Sequence, residues 1–329
     1  MTTIRDIAKA ANVTISTVSK ALNQEAGVSE QTRQKIQAIA EQMNYVKLPS
    51  AKRAADPSPK CIGLIWSQAN GVSFPHTVGT LEKEAGKLGY SIVVSTAAPD
   101  KALHHMNRLS IRHVVIWGLH STLLTPDFLN ELELYNGTLL SLGGVPLEQG
   151  RSIAIDRQEA IHKAVRYLSE LGHRSIVFIG VKNEKLIGYT LGMLDCKLEY
   201  RPELIVMASK YKPFPDELLL EALRNKAGSK PTAVIVESHG TLCRFARFAK
   251  TYGIRIPDDV SVVSYDNIPE MGETLEVPVT TVGPDLESLA RTTIEQLLSP
   301  ISEKEASSAV SLDMELIVRG STVPPAENR

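Results

Sequence analysis

Cysteine is scarce in this chain of 329 residues: Cys61, Cys196 and Cys243 stand far apart and odd in number. That excludes a disulfide frame or a thiolate zinc site and leaves reduced, buried thiols acting as small hydrophobes. Long apolar runs are missing too. No segment approaches roughly twenty uninterrupted apolar residues, and the N-terminus has no apolar leader, so the sequence predicts neither membrane insertion nor export and points to the cytoplasm. The glycine-rich phosphate loops G-x-G-x-x-G and Walker A are absent, as is the G-x-S-x-G elbow, and Gly143-Gly144 alone is an ordinary turn. His104-His105 beside Met106 lacks carboxylate or thiol partners at metal-ligand spacing, and Ser141, Ser238 and His239 assemble into no triad. The expectation is a protein that is no enzyme and has no cofactor and no metal.

What is present is a soluble composition, 43% apolar, in a length that suits two or three domains. The formal net charge of -1 hides an asymmetry. Residues 1–60 hold nine Lys and Arg against five acids, a balance of +4, so the remainder carries -5. A basic head on an acidic body can approach phosphates while the body does not, and such binding weakens steeply with salt.

The head reads as three short helices. Thr3 and Asp6 make a capping-box-like start, and Ile4, Ile7, Ala8 and Ala11 recur at helical spacing. Asn12 breaks that helix, Thr14 can cap the next, and Val18 and Leu22 sit four apart on its inner face, leaving Ile15, Ser16, Ser19 and Lys20 outward. Ser29 caps a third helix whose Ile36, Ile39, Ala40 and Met43 close a small core. The geometry is that of a helix-turn-helix whose second helix enters the DNA major groove.

From Lys47 to Lys60 the composition shifts to Ala, Pro, Ser and Lys, and prolines at 49, 57 and 59 prevent a continuous helix, which marks a linker. Short apolar runs then alternate with amphipathic stretches. Buried strands are predicted at 61–66, 91–95, 114–117 and 138–142, with helices near 75–88, 100–109 and 125–133. A second series follows, with strands at 153–155, 175–180, 204–208, 232–236 and 261–265 and helices near 157–171, 215–227 and 239–252. Gly172 and Gly253 stand where helix C-terminal caps belong. This alternation predicts an α/β protein with two doubly wound parallel sheets.

The first forty-five residues, from Thr3-Ile-Arg-Asp-Ile-Ala through Thr14-Ile-Ser-Thr-Val-Ser-Lys-Ala-Leu-Asn23 and Val28-Ser-Glu-Gln-Thr-Arg33 to Tyr45, resemble the headpiece of the lactose-repressor (LacI/GalR) family. Further matching strings are Ala154-Ile-Asp156, Leu168 to Gly180, Ile256 to Asp266, Pro278 to Val282 and Leu316 to Thr322. The resemblance implies a helix-turn-helix headpiece over 1–46, a hinge over 47–60 and a periplasmic-binding-protein-like type I core over 61–329. In it, lobe one covers about 61–153 and 283–313, and lobe two about 154–282 and 314–329. It further implies a transcription regulator, a repressor working as a homodimer on a pseudo-palindromic double-stranded DNA operator and answering a small-molecule effector. A constitutive regulator with a vestigial cleft is the alternative.

Carried over residue by residue, Ile15, Ser16 and Lys20 would contact bases and Thr14, Thr17, Ser19 and Asn23 phosphates. Lys20 stands where Arg is common, and a lysine lacks the rigid planar fork, so base discrimination softens. In the hinge, Lys52 and Arg53 would meet phosphates, and Ala54 replaces the leucine that wedges into the minor groove, so the apolar insertion that offsets unstacking is weakened. The effector positions depart as well. Lys185 precedes Gly188-Tyr189 where an Arg is usual, Ser238-His239 replaces Asn-Asp, and within Tyr265-Asp-Asn267 only Asp266 is intact. Lys185, His239 and Asp266 are the expected effector residues, and the added positive charge suggests an anionic ligand, a phosphorylated sugar or a carboxylate, over a neutral sugar.

Overall fold

A computed structural model describes residues 4–22, 27–43, 60–67, 69, 73–147, 150–208, 214–224, 230–268, 275–300 and 310–326. The chain forms two compact units, residues 1–58 and 59–329.

In the first unit α1 (Ile4–Ala11), α2 (Ile15–Leu22) and α3 (Glu30–Gln42) surround a core of Ile7, Ala8, Ala11, Val18, Ala21, Ile36 and Ala40. Asn12 turns the chain with φ +56°, a left-handed conformation that asparagine tolerates. Ser29 caps α3 by accepting the Thr32 N–H at 3.3 Å. Two cations of α3 close the neighbouring helix ends: Arg33 donates to the Ala21 carbonyl and Lys35 to that of Ala11. Both offset the negative C-terminal ends of helix dipoles, so part of the head's positive charge is structural.

The second unit opens with β1 (Cys61–Ile65), α4 (Ser73–Lys87), β2 (Ser91–Ser95), α5 (Pro99–Arg108), β3 (His113–Trp117), α6 (Pro126–Leu134), β4 (Thr138–Leu142) and β5 (Arg151–Ile155). It continues through α7 (Arg157–Glu170), β6 (Ile176–Gly180), α8 (Glu184–Asp195), β7 (Ile205–Met207), α9 (Asp216–Arg224), β8 (Ala233–Val236), α10 (His239–Tyr252) and β9 (Ser261–Tyr265). It closes with β10 (Thr280–Pro284), α11 (Leu286–Leu298), β11 (Val310–Leu312) and β12 (Met314–Ile317). One sheet runs β11-β5-β4-β3-β1-β2, parallel throughout; the other runs β12-β10-β9-β8-β6-β7, parallel except for β12 against β10. The chain changes sheet three times, between β5 and α7, between β10 and α11, and at Asp313 between β11 and β12.

Several elements differ from the pattern reading, which stopped at Tyr265 and so also left out β10, β11 and β12. The strand at 91–95 is an edge, its Val94 exposed, because β2 has a neighbour on one side only. Helix α8 gave no clean period because Ile187, Leu191 and Leu194 are exposed while Tyr189 and Met193 are buried, so apolar residues encircle it. Helix α11 carries both cap and stripe: Asp285 accepts the Ser288 N–H at 2.7 Å, and Leu289, Ala290, Ile294 and Leu297 are buried. It lies beyond Tyr265, where the pattern reading stopped. Among the described residues, no helix is long and apolar enough to cross a membrane.

Candidate functional site

Helix α2 begins because Thr14 ends the preceding turn and its hydroxyl accepts the Thr17 N–H at 3.2 Å, with the two hydroxyls 2.8 Å apart. Val18 and Ala21 are fully buried against α1 and α3, which fixes the helix rotation and leaves Thr14 and Lys20 exposed and Thr17 half-buried. Ile15, Ser16 and Ser19 occupy the first, second and fifth positions of the same helix. Thr14 and Thr17 therefore have a capping role before any contact with a phosphate. Asn23 and the hinge residues Lys52, Arg53 and Ala54 lie outside the described residues.

The second candidate site is a cavity of about 450 Å³ in the larger unit, lined by Trp66, Trp117 and His120 from the first sheet's side and Arg157, Asn183 and Lys185 from the second's. Its position follows from the strand order. In the first sheet the order reverses between β1 and β3, and Trp66 and Trp117 stand at the carboxyl ends of those two strands. In the second it reverses between β6 and β8, whose carboxyl ends lead to Asn183 and to Glu237. The crevice outside such switch points is where open parallel sheets bind ligands.

The indoles of Trp66 and Trp117 stack with centroids 4.1 Å apart and planes 15° apart, and Phe74 meets Trp66 edge-on at 5.1 Å. Trp66 is buried and Trp117 half-buried, so the latter presents an aromatic face to the cleft.

Opposite lies a charged cluster. Asn183 caps α8 by accepting the Lys185 N–H, and the Gly188 site lets α8 press on α7, since a Cβ there would run into the Gln158 carbonyl. Tyr189 is core, its hydroxyl donating to the Ile176 carbonyl. This anchoring turns Lys185 inward: its ammonium donates to the Glu237 carbonyl at 2.7 Å and sits 3.9 Å over the Tyr265 ring. Burial lowers the Lys185 pKa while Asp266 and Glu237 oppose the fall. Burial likewise raises Asp266 above the usual carboxylate range, against Lys185, Arg157 and His239. Asp266 is also held at φ +88°, a sparsely populated backbone region that marks stored strain.

Of the three expected effector residues, Lys185 lines the cavity, while Asp266 and His239 stand behind it within electrostatic reach of one another. His239 opens α10 behind its cap Ser238, 3.6 Å from the Cys243 sulfur, and burial lowers its pKa. That fall, opposed by Asp266, works against the positive charge expected of it. Pattern reasoning missed Arg157, Glu237 and the tryptophan pair. Arg157 donates to the Gly143 carbonyl at 3.0 Å, approaches Glu184 at 3.5 Å and lies within electrostatic reach of Tyr265 and Asp266. Its only sequence signal was its place directly after Asp156, at the first change of sheet. Glu237 is buried and accepts from the Asn183 amide at 3.3 Å.

Residues 3–47 match the family model described as bacterial regulatory proteins, lacI family, and residues 165–322 match a periplasmic binding protein-like domain. The chain is 25% identical over 331 residues to the HTH-type transcriptional repressor PurR of Vibrio parahaemolyticus, covering 97% of this chain and 98% of that protein. It is 27% identical over 310 residues to the ribose operon repressor of Haemophilus influenzae, covering 92% of each. In fold it is similar to the lac repressor dimer bound to operator and the anti-inducer ONPF, with a TM-score of 0.65 at 22% identity over 98% of this chain and 99% of that one.

Proposed function

Since the chain belongs to the lacI family of bacterial regulatory proteins, we propose that it is a sequence-specific transcription repressor, a homodimer on a pseudo-palindromic operator, whose cleft takes a neutral polyhydroxylated effector. It regulates and does not catalyse, and its place of work is the cytoplasm. The observation that carries the DNA reading is α2: it is capped by Thr14 and locked by Val18 and Ala21 so that Lys20 is presented to solvent. Two half-sites linked through a dimer gain effective concentration, which turns weak single contacts into tight binding.

The effector class follows from charge and shape. At the cavity wall Arg157 and Lys185 meet Glu184, with Asp266 and Glu237 behind them, and Lys185 already has a carbonyl, a ring and neighbouring carboxylates. The uncommitted cation that an anionic ligand needs is therefore missing from Lys185, and the sequence-based expectation of a phosphorylated sugar or carboxylate gives way to a neutral one. Carboxylates accept from hydroxyl groups, and the Trp117 face suits the apolar side of a sugar ring. A built cleft of this kind disfavours the constitutive, effector-free alternative.

A thermal-shift panel tests the effector class. Cellobiose, D-ribose and D-glucose are to be compared with glucose 6-phosphate and citrate; a ligand at about a hundred times its Kd adds about 2.7 kcal/mol. A shift from a neutral sugar alone supports the reading, and a shift from the anions alone overturns it. Footprinting on DNA flanking the gene tests the operator: a protected pseudo-palindrome is expected, and protection without sequence preference contradicts it.

A further inference from the structure

We propose that Asn267 is a positioning residue that clamps two of the three sheet-to-sheet passages together and carries an effector contact at Asp266 into the hinge between the lobes. The proposal rests on the reading of the cleft as an effector site. Its basis is the pair of bonds that the Asn267 amide makes. Nδ2 donates one proton to the Gly283 carbonyl at 2.9 Å and the other to the Glu315 carbonyl at 3.1 Å. Gly283 and Glu315 are register partners in the antiparallel β10–β12 pair, so one side chain holds both members of a cross-strand pair. The chain leaves the second sheet just after Pro284 and re-enters it at Met314. Any rotation of one lobe against the other must therefore twist β10 and β12 beside this clamp.

The neighbouring residue stands behind the charged wall of the cleft. Asp266 lies within electrostatic reach of Lys185, Arg157 and His239, two of which line or approach the cavity from separate helices. Its own N–H donates to the Val282 carbonyl at 3.0 Å, continuing the β9–β10 ladder one step past the strand. Gly283 packs on the same stretch of backbone: a Cβ there would stand 3.3 Å from the Asp266 Cα and the Asn267 nitrogen. The strained φ of Asp266 and the tight seat at Gly283 leave little slack, so a displacement of the Asp266 carboxylate by a ligand moves the Asn267 amide with it. Asn267 is buried, yet its Oδ1 has no hydrogen-bond partner among the described residues. A buried acceptor left open is costly, and it gives the clamp a reason to favour a second arrangement in which that oxygen finds a donor.

The test uses the full chain and the variants Asn267→Leu, which keeps the volume and removes both donors, and Asn267→Ala. Val262→Ala, a core truncation in the same lobe, serves as an equally destabilised control. In ligand-free hydrogen exchange, either Asn267 variant is expected to speed exchange about tenfold in peptides spanning 280–284 and 314–317, with 176–180 and 239–252 unchanged. Acceleration confined to 266–268, or spread evenly over the lobe as for Val262→Ala, overturns the clamp. Operator affinity is then measured with and without whichever neutral sugar of the panel shifts the wild-type melt. An effect of about tenfold in the wild type is expected to fall below about twofold in Asn267→Leu while the sugar's own Kd stays within about threefold. An unchanged effect overturns the proposal, since a merely structural residue lowers stability without altering that ratio. If no sugar shifts the wild-type melt, the effector reading fails and the exchange result alone decides the clamp.

Discussion

Lys185 is the charge on which the cleft balances, and its removal tells more than its presence. Lys185→Met leaves Arg157 as the remaining cation beside Asp266 and Glu237 and is expected to cost about 1 to 3 kcal/mol in chemical denaturation, less than for a fully buried pair because the side chain is half-exposed. The histidines set a pH limb. Burial lowers the pKa of both His113 and His239, so the native state stays neutral while the unfolded chain takes protons near pH 6.5. Their contribution to stability is therefore complete above about pH 6.5 and lost as the pH falls through the native values. Melting temperatures at pH 7 and pH 5 are expected to differ less in His239→Gln than in the wild type, and an equal difference contradicts the assignment. The sequence made Lys185, His239 and Asp266 readable as a group only through resemblance; Arg157, Glu237 and the tryptophan pair had no local motif, because their meeting depends on which strands the two sheets place side by side.

Among the elements, α2 depends on its first hydrogen bonds. Thr14→Ala removes the acceptor for the Thr17 N–H and is expected to lower headpiece stability by about 1 kcal/mol, whereas Thr14→Ser retains it; melting of the isolated change by circular dichroism distinguishes the two. The hinge gives a second element-level expectation from its sequence. Ala54 is too small to fill an opened base step, so Ala54→Leu is expected to raise both the DNA bend in circular-permutation gel shifts and the affinity. Strands such as Thr138–Leu142 and Ser261–Tyr265 and the helix His239–Tyr252 were legible to the residue, because turn residues or caps bound continuous apolar or amphipathic runs. Helix α8 was not, since its exposed Ile187, Leu191 and Leu194 blur the period that reports a single buried face.

At the scale of the molecule, a basic head joined to an acidic core makes operator binding salt-dependent, with the slope of log affinity against log salt set by the number of phosphates neutralised. Lys20 is exposed on α2 and is proposed to read a base edge, so Lys20→Ala is expected to cost about 1 to 3 kcal/mol on the operator and to relax preference at one symmetric position. The two-sheet architecture was visible in the alternation of strands and helices, while the three changes of sheet, each confined to a few residues, leave no periodic trace. The claim that most needs testing is that α2 reads sequence as one half of a symmetric pair. Selection of binding sites from random DNA, run in parallel with wild type and Lys20→Ala, tests it directly. The expected result is a pseudo-palindromic motif for the wild type and the same motif with one relaxed symmetric position for the variant. A wild-type pool without symmetry, or a variant motif identical to the wild type, would contradict it.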